Sequence, residues 1–381
     1  MKKSLIALAV MAAAGAASAQ SSVTLFGVVD ATLAWGRGSV GDRFQLTNSG
    51  YNSSRLGFRG TEDLGGGMSA GFWLEAGVNN DNGTGAATNV NNQLAGGAAA
   101  GQAGSQGLTF NRRSTVSLSG GWGELRLGRD YNPSFWNLTV FDPFGTNGVG
   151  TTQTLNGTAL GINPFTGTVG ATANPGGFYP TQVRASNGIG YILPGNLGGF
   201  YGQLVYYAGE NLNSGVDDGD GYGARLGYAA GPFNVAFGYS TTDISTTIAT
   251  VLRRGDITTW NIGGQWDFGI AKLMGHYSTD EIDIGGLSVD GKGWLIGGLI
   301  PVGAGEVRLA YSEYKTELAG ADPKAKKYAI GYVHNLSKRT ALYTTYAYVK
   351  NSNGAASALN GSVTNAGSSS SGIDLGVRHS F

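Results

Sequence analysis

Residues 371–381 read Ser-Gly-Ile-Asp-Leu-Gly-Val-Arg-His-Ser-Phe, and apolar side chains occupy nearly every second position up to Phe381. A period of two predicts a β-strand with one apolar and one polar face. Inside a lipid bilayer every backbone donor and acceptor needs a partner, and for strands only a closed barrel supplies them all. The stretch therefore favours the closing strand of a membrane β-barrel.

The same alternation recurs along the chain, and aromatic residues collect near the segment ends, as in the interface girdles of membrane barrels. A soluble sandwich or propeller would also alternate, and periodicity alone does not tell its inner face from its outer face. Low charge and strand length favour the membrane alternative. The clearest further segments are 23–35, 222–228, 233–240, 260–268 and 328–332.

The composition narrows the class of protein. Charged residues make up 13% of the chain, against about 25% in ordinary globular domains. There are 67 Gly, 18 Tyr, 15 Phe, 7 Trp and no Cys, which excludes disulfide frameworks and thiol chemistry. Without Lys2 and Lys3 the chain has 23 basic and 25 acidic residues, a balance that argues against nucleic-acid binding.

The first residues have the pattern of an export signal. Lys2 and Lys3 precede an apolar run from Leu5 to Ala17, and small residues at Ala17 and Ala19 form a cleavage site. We predict a signal peptide over 1–19 and a barrel domain over 20–381. An anchoring helix is the alternative, but the apolar run is shorter than the ~20 residues of a span.

Two kinds of connector separate the alternating segments, and short turns on one side with long loops on the other are typical of bacterial barrels. Seven connectors are short and mostly glycine-rich: Leu64–Gly67, Gly120–Gly123, Asn196–Gly199, Ala230–Pro232, Phe268–Gly269, Val302–Gly305 and Asn335–Lys338. Eight are longer and polar: Arg37–Asn52, Asn79–Gly107, Asn132–Thr181, Asn211–Gly219, Thr241–Arg254, Asp283–Gly286, Leu318–Lys324 and Asn351–Ser371. We therefore predict an all-β, 16-stranded antiparallel transmembrane β-barrel.

Motifs spread over the whole chain resemble those of the Gram-negative general porins, and especially their β-proteobacterial branch. The resemblance implies a homotrimeric outer-membrane channel whose long third loop folds into the lumen. It also implies contacts with outer-membrane lipid and lipopolysaccharide, and with the barrel-assembly machinery through the C-terminal strand ending in Phe381. The matching motifs are Ser22–Gly27, Ser54–Gly65, Gly123–Arg129, Phe141–Gly145, Leu336–Thr340 and Gly376–Phe381.

The third long connector, Asn132–Thr181, supports this expectation independently. It is the longest connector, and its aromatic content is too high for a freely solvated loop; long ordered loops are usually functional. We predict that it packs against the barrel wall with its polar edge toward the pore; a disordered surface loop is the alternative. Its main aromatic residues are Phe135, Trp136, Phe141, Phe144 and Phe165.

Selection in a wide pore depends on its diameter and on the charges at its narrowest ring. Arg55 and Arg59 alternate with the apolar Leu56 and Phe58, so parity places both arginines in the lumen. The resemblance also places Arg55 in the wall that faces the constriction loop. We predict that both arginines line the pore.

The resemblance adds Arg112 and Arg129 to this wall. Parity disagrees for Arg129, which shares a face with Leu125 and Leu127, whereas Arg126 lies on the polar face. Around Arg112 the alternation does not decide which side chains point inward. All three arginines are retained as candidates; the alternative is that they lie at the extracellular rim or at a trimer contact.

The third loop carries a single carboxylate, Asp142, where the family usually presents acidic residues. An arginine-rich wall that faces few carboxylates holds a positive field across the lumen. We therefore predict a mild preference for anions. Glu75 and Asp30 would oppose this preference if they also face the lumen.

No other motif points to chemistry, so we predict neither an enzyme nor a cofactor. Gly67–Gly71 matches G-x-S-x-G but begins a strand, whereas that motif needs a strand-to-helix turn. His276, His334 and His379 lie on different predicted strands, which predicts no metal site. The acidic run Asp217–Asp220 lacks the spacing of a calcium loop and leaves divalent-cation binding open.

The first hypothesis is an outer-membrane channel for passive diffusion of small hydrophilic solutes and ions. One alternative is a solute-selective channel that uses aromatic residues as a sliding track. Another is an adhesin or receptor in which the loops do the work. The loops are rich in Gly, Ala, Asn and Thr and poor in charge, which does not favour specific ligand binding.

Overall fold

The computed structural model describes residues 22–86, 88, 91–93, 107–156, 181–211, 217–248, 251–317 and 322–381. The predicted signal peptide lies outside these ranges. Within them no helix is long and apolar enough to cross a membrane. The strands are β1 Ser22–Arg37, β2 Arg43–Asn48, β3 Arg55–Gly65, β4 Met68–Asn79, β5 Thr84–Gly85, β6 Arg113–Gly120, β7 Gly123–Tyr131, β8 Arg184–Ile192, β9 Phe200–Tyr207, β10 Gly221–Ala230, β11 Phe233–Ile248, β12 Val251–Asp267, β13 Lys272–Ile284, β14 Leu287–Val302, β15 Gly305–Glu317, β16 Lys324–Asn335, β17 Thr340–Ser352 and β18 Ser370–Ser380. One helix, α1 (Pro133–Val140), and one 3-10 turn (Gln153–Asn156) follow β7.

The strands form a closed antiparallel barrel. Apart from the short β2 and β5, sixteen described strands of 8 to 17 residues pair with their neighbours in chain order. Closure comes from β1 and β18, which pair from Val28 opposite Ser380 to Arg37 opposite Ser371. The other edge of β1 is shared, because β2 pairs with its upper half and β3 with its lower half. The predicted 16-stranded barrel is confirmed.

All seven predicted tight turns lie between consecutive strands of the barrel. One predicted loop is wrong: within Thr241–Arg254 the strands continue, since β11 ends at Ile248 and β12 begins at Val251. Polar threonines suggested a loop, but β-branched residues favour strands. Ile244 and Ile257, each 1% exposed, belong to a buried cluster that stabilises this extension.

Each strand separates an apolar face from a polar face. On β18, Leu375 is 54% exposed whereas Asp374 is 1% exposed; on β10 and β12 the same contrast separates Leu226 at 57% from Asn261 at 1%. A barrel in lipid turns its apolar residues outward and its polar residues inward. The exposed apolar face is therefore the outer face.

Aromatic side chains form two bands on the outer face. On the loop side, ring centroids lie 5.7 Å apart for Trp260 and Tyr277 and 4.9 Å apart for Tyr311 and Tyr328. On the turn side, the rings of Phe233 and Trp266 lie 6.0 Å apart. Such bands mark the two membrane interfaces, so the tight turns and the long loops lie on opposite sides of the bilayer.

The described part of the connector after β7 contacts the polar face of strands β10–β18, which we call the far wall. Helix α1 contacts β10, β11 and β12, and the 3-10 turn contacts β14, β15 and β16. The Asn137 amide donates to the Ala236 carbonyl at 2.9 Å and to Asn261 Oδ1 at 2.8 Å. The remaining residues of this connector, 157–180 with Phe165, lie outside the described ranges.

Glycines of the far wall make room for this connector. A Cβ on Gly263 would overlap the ring of Phe141. A Cβ on Gly297 would lie 2.8 Å from Pro143 Cγ, and one on Gly331 would lie 3.0 Å from the Phe144 ring. We call Gly263, Gly297 and Gly331 the glycine seat, because each lacks a side chain where a connector residue packs.

Candidate pore constriction

Glu75 on β4 joins two of the candidate arginines. The Arg112 Nε donates to Glu75 Oε1, and the Arg55 Nε lies 3.8 Å from the same oxygen. The Trp73 indole donates to Glu75 Oε2 at 3.1 Å, and Arg112 Nη2 donates to the Tyr131 hydroxyl at 3.1 Å. The side chains of Glu75 and Arg112 are each 11% exposed, so this ion pair is largely shielded from water.

Arg59 is held by aromatic rings instead. Its guanidinium carbon lies 5.1 Å from the Trp73 ring centroid and 5.4 Å from that of Phe26, and the guanidinium carbon of Arg113 lies 4.6 Å from the Trp73 centroid. Such cation–π contacts orient a guanidinium without neutralising its charge. Arg59 is exposed and forms no ion pair with any carboxylate in the described ranges.

Arg126 lies on the polar face of β7, as its parity indicated, but its charge is compensated. Its guanidinium donates to both carboxylate oxygens of Glu124 at 2.9 Å and to Asp130 Oδ2 at 2.8 Å. Asp130 also lies 3.4 Å from the Arg113 Nε. Arg126 therefore belongs to a network of alternating charges rather than acting as an isolated cation.

Alternation along β7 does not predict on which face Arg129 lies, because the backbone is irregular just before it. The register between β7 and β8 shifts between Gly128 and Asp130, and Gly128 has a φ of +119°, which favours glycine. Beyond this bulge, Arg129 donates to the Asn111 carbonyl at 2.6 Å and to the Ser186 hydroxyl at 2.8 Å. Simple alternation could not place its side chain.

These groups form one cluster on β3, β4 and β6–β8, which we call the arginine wall. Sequence reasoning missed Arg113, which had no decisive alternation, and Arg184, whose guanidinium lies 4.5 Å from the Tyr131 ring centroid at the very start of β8. The carboxylates paired within the wall are Glu75, Glu124 and Asp130. The seven arginines are Arg55, Arg59, Arg112, Arg113, Arg126, Arg129 and Arg184.

Asp142 lies inside the connector rather than on its surface. It is 3% exposed, and its carboxylate accepts backbone N–H groups of Phe144 at 2.9 Å, Thr146 at 3.1 Å and Thr152 at 2.9 Å. Burial raises the pKa of Asp142 above its usual range, while these backbone donors oppose the shift. The carboxylate holds together the turn that follows α1.

Charged residues of the far wall also anchor the described part of the connector after Asp142. The Lys327 ammonium on β16 donates to the Thr151 carbonyl at 2.9 Å, and Asp374 Oδ2 on β18 accepts the Val149 N–H at 2.7 Å. Nothing in the alternation of β16 or β18 distinguishes these residues from pore-lining charges. Their partners are distant in sequence, so sequence reasoning did not assign them.

The carboxylate of Asp30, which was expected to oppose the positive field, is engaged in structural hydrogen bonds. It is fully buried, and its carboxylate accepts the backbone N–H groups of Tyr51 at 2.9 Å and Asn52 at 2.6 Å, as well as the Tyr343 hydroxyl. A charge that is buried and hydrogen-bonded in this way contributes little direct contact with a passing ion.

The described residues contain no group of three or more acidic or histidine side chains placed to hold a metal ion. In the acidic run, Asp218 Oδ1 accepts the Ser245 N–H at 2.8 Å and Asp220 Oδ1 accepts the Gly209 N–H at 2.6 Å. These two carboxylates fasten neighbouring loop segments to each other.

The sequence matches a known family over most of its length. A family model described as Gram-negative porin matches residues 5–354. The chain belongs to the Gram-negative porins. It is 40% identical over 393 aligned positions to the outer membrane porin protein 32 of Delftia acidovorans, with all of both chains covered.

Two further relatives support the assignment to this family. The porin is 29% identical to an outer membrane porin protein of Bordetella pertussis, in an alignment that covers 92% of this chain and 95% of the relative. The solved anion-selective porin from Comamonas acidovorans superposes with a TM-score of 0.76 at 35% identity, covering 95% of this chain and 100% of that one. The porin is an outer-membrane protein of a Gram-negative bacterium, and the soluble sandwich or propeller alternative is excluded.

Proposed function

We propose that this porin is a passive, mildly anion-selective channel for small hydrophilic solutes and ions, and not an enzyme. The observation that carries the selectivity is the imbalance of charge in the arginine wall. Its seven arginines are accompanied by three paired carboxylates, and Arg59 is exposed. Such an imbalance enriches anions in a water-filled pore.

The connector 132–181, which we place opposite the arginine wall, does not neutralise the positive field of that wall. The connector 132–181 contains one charged residue in its sequence, Asp142, and that carboxylate is buried in its own turn. We propose that the connector lies in the lumen and narrows it opposite the arginine wall. In this proposal Asp142 acts by shaping the connector, and the pore-lining residues are Arg55, Arg59, Arg112, Arg126 and Arg129.

We further propose that the porin works as a homotrimer and that residues 1–19 are removed on export, leaving a barrel domain over 20–381. The outer surface of β1 and β2 offers a contact between copies, since Val23 is 68% and Phe44 67% exposed. Assembly would use the barrel-assembly machinery through the strand that ends in Phe381.

The test is single-channel current in a planar bilayer with a salt gradient across it. We expect three equal conductance steps and a reversal potential that favours anions. Lowering the salt concentration should strengthen the preference, because screening of fixed charges weakens as the Debye length grows.

Two outcomes would contradict the proposal. A reversal potential that favours cations would refute the arginine wall as the selectivity filter while leaving a channel. Absence of any ionic conductance would refute passive diffusion and favour a plugged barrel whose loops bind a ligand.

A further inference from the structure

Cationic and aromatic side chains form a column on the polar face of the barrel, where helix α1 contacts β9 and β10. The Arg184 guanidinium carbon lies 4.5 Å from the centroid of the Tyr131 ring, which lies 6.2 Å from that of Trp136. The Arg225 guanidinium carbon lies 5.8 Å from the Trp136 centroid and 4.9 Å from that of Tyr201. We call these five residues the cation–aromatic column. It connects the arginine wall to the far wall.

A shallow recess lies beside the column on the polar face of β7–β9. Gly188 and Gly190 lie on one face of β8, since Ile189 between them is 55% exposed on the opposite face, and they leave the floor of the recess without side chains. Gln203 and Val205 of β9 continue this floor. The enclosed volume is only about 30 Å³, so a solute would lie against the recess rather than inside it. Such a flat floor suits a planar molecule.

Aromatic rings border the recess. Tyr131 lines it, and the Trp136 ring is tilted by 58° against the Tyr131 ring. Both residues are half-buried, so each ring keeps surface that a solute can touch. Aromatic rings attract one another in offset or edge-to-face arrangements, beyond the gain from apolar burial alone. The border of the recess therefore favours an aromatic solute over an aliphatic one of the same size.

The charge at the β7 end of the recess is compensated. Arg126 lines this end, and its guanidinium donates to both carboxylate oxygens of Glu124 at 2.9 Å and to Asp130 Oδ2 at 2.8 Å. Asp130 also lines the recess. An anionic group would meet carboxylates at this end, so it is directed to the other end.

The charge at the β10 end is not compensated. Arg225 lies opposite Gln203 in the pairing of β10 with β9, and it is 9% exposed. Its Nε donates to Asn137 Oδ1 at 3.0 Å and its Nη2 to the Tyr201 hydroxyl at 3.3 Å. In the described part of the chain no carboxylate forms an ion pair with it. A guanidinium held by neutral groups and shielded from bulk water attracts a carboxylate strongly.

We propose that the recess and the cation–aromatic column form a site for small aromatic carboxylates. The ring of the solute lies against the glycine floor, Tyr131 and Trp136, and its carboxylate points to Arg225. This inference rests on the proposed function, because an anion reaches the site only if it enters the barrel. It adds the class of solute that is retained on the way.

The experiment measures chloride current through the purified full-length porin in a planar bilayer, with benzoate or cyclohexanecarboxylate added on both sides. The two acids have the same charge and the same number of carbon atoms, but only benzoate has a planar ring. We expect benzoate to reduce the current half-maximally at about fivefold lower concentration, because aromatic contacts contribute about this factor. Benzyl alcohol, which has the ring without the charge, should not reduce the current at that concentration.

Two variants test the planar contact. Gly190→Val fills the floor without altering any charge, and the nearest atoms to its Cβ would lie 3.6 Å away, so the strand accepts it. Trp136→Leu removes the larger ring. In each variant the two acids should act at equal concentration. The control is Gly264→Val on the outer face of β12, where a Cβ is also 3.6 Å from the nearest atom, and it should keep the fivefold difference.

A third variant tests the charge. Arg225→Gln keeps a hydrogen-bonding side chain but removes the guanidinium. The half-maximal concentrations of both acids should rise by the same factor, so that the preference for benzoate remains while the affinity falls. Unchanged concentrations in Arg225→Gln would show that this residue does not bind the carboxylate and would overturn the inference.

Other results would also overturn it. One is equal action of the two acids on the wild-type porin, and another is a fivefold difference that persists in both Gly190→Val and Trp136→Leu. Reduction of the current by benzyl alcohol as strong as by benzoate would refute a site for anions. The reversal potential in chloride alone tests the proposed function separately. A preference for anions combined with equal action of the two acids would refute only this inference.

Discussion

The two halves of the inner barrel surface differ in what their side chains do. On the arginine wall, large charged residues such as Arg55 and Arg59 project from the strands and are held by carboxylates or aromatic rings. On the far wall, the glycine seat removes side chains so that Phe141, Pro143 and Phe144 of the connector can pack against the backbone. The arginine wall carries an excess of positive side chains, whereas the far wall lacks side chains at the three positions where the connector packs.

This difference shows that one barrel surface can combine two kinds of position. Glycines leave room where the described part of the connector packs, and the arginine wall carries more guanidinium groups than carboxylates. Substitutions that alter one wall at a time test whether the two roles are separable.

The largest effect is expected from Glu75→Gln on the arginine wall. This change leaves Arg112 without its shielded counter-charge, and breaking such a buried pair costs about 3–5 kcal/mol. The free energy of unfolding, measured by denaturant titration with tryptophan fluorescence in lipid, should fall accordingly. The matched control is Glu306→Gln, whose carboxylate is 28% exposed in its pair with Arg308. That variant should lose about 0–1 kcal/mol, and equal losses in both variants would contradict the prediction.

A smaller effect is expected from Gly263→Ala on the far wall. The new methyl group overlaps the Phe141 ring, and overpacking of this kind costs about 1–3 kcal/mol. The connector should shift from its seat, so single-channel conductance should rise and fluctuate more. Gly264→Ala is the control, since a Cβ there would lie 3.6 Å from the nearest atom, the Asn234 carbonyl oxygen. Wild-type conductance in Gly263→Ala would show that the seat does not position the connector.

The smallest effect in free energy is expected from Arg59→Gln. One unit charge about 6 Å from a passing ion in water is worth about 0.7 kcal/mol, favourable for an anion and unfavourable for a cation, so its loss should change the ratio of anion to cation permeability about tenfold. The reversal potential should move toward cations, with conductance nearly unchanged. Asp142→Asn is the control, because that carboxylate is 3% exposed and lies in its own turn. A shift of selectivity in Asp142→Asn as large as in Arg59→Gln would assign Asp142 to the pore surface.

The barrel could be predicted from the sequence because its two requirements are local. Alternation in segments such as 222–228 and tight turns such as Ala230–Pro232 are visible within about ten residues. The error at Thr241–Arg254 arose because polar threonines occur both in loops and on the polar face of strands. Only the packing of Ile244 and Ile257 across β11 and β12 distinguishes the two.

The faces on which the candidate arginines lie could be predicted only in part. Parity placed Arg55, Arg59 and Arg126, because regular strands keep their alternation. It failed at Arg129, since the bulge at Gly128 resets the alternation. The glycine seat could not be predicted either, because the sequence does not distinguish a glycine that contacts an aromatic ring from a glycine in open space.

The pairing of β1 with β18 has a consequence for the chain before it has folded into a closed barrel. Val28 is bonded to a strand more than 340 positions later, and the ring of Phe381 covers Gly27 while their backbones exchange two hydrogen bonds at 3.1 Å. Until that contact forms, both edges of the sheet are open, and open edges recruit other chains. Contacts of such large sequence separation also form slowly. Unfolded copies of the chain must therefore be kept apart until β1 and β18 pair, because that pairing removes both open edges.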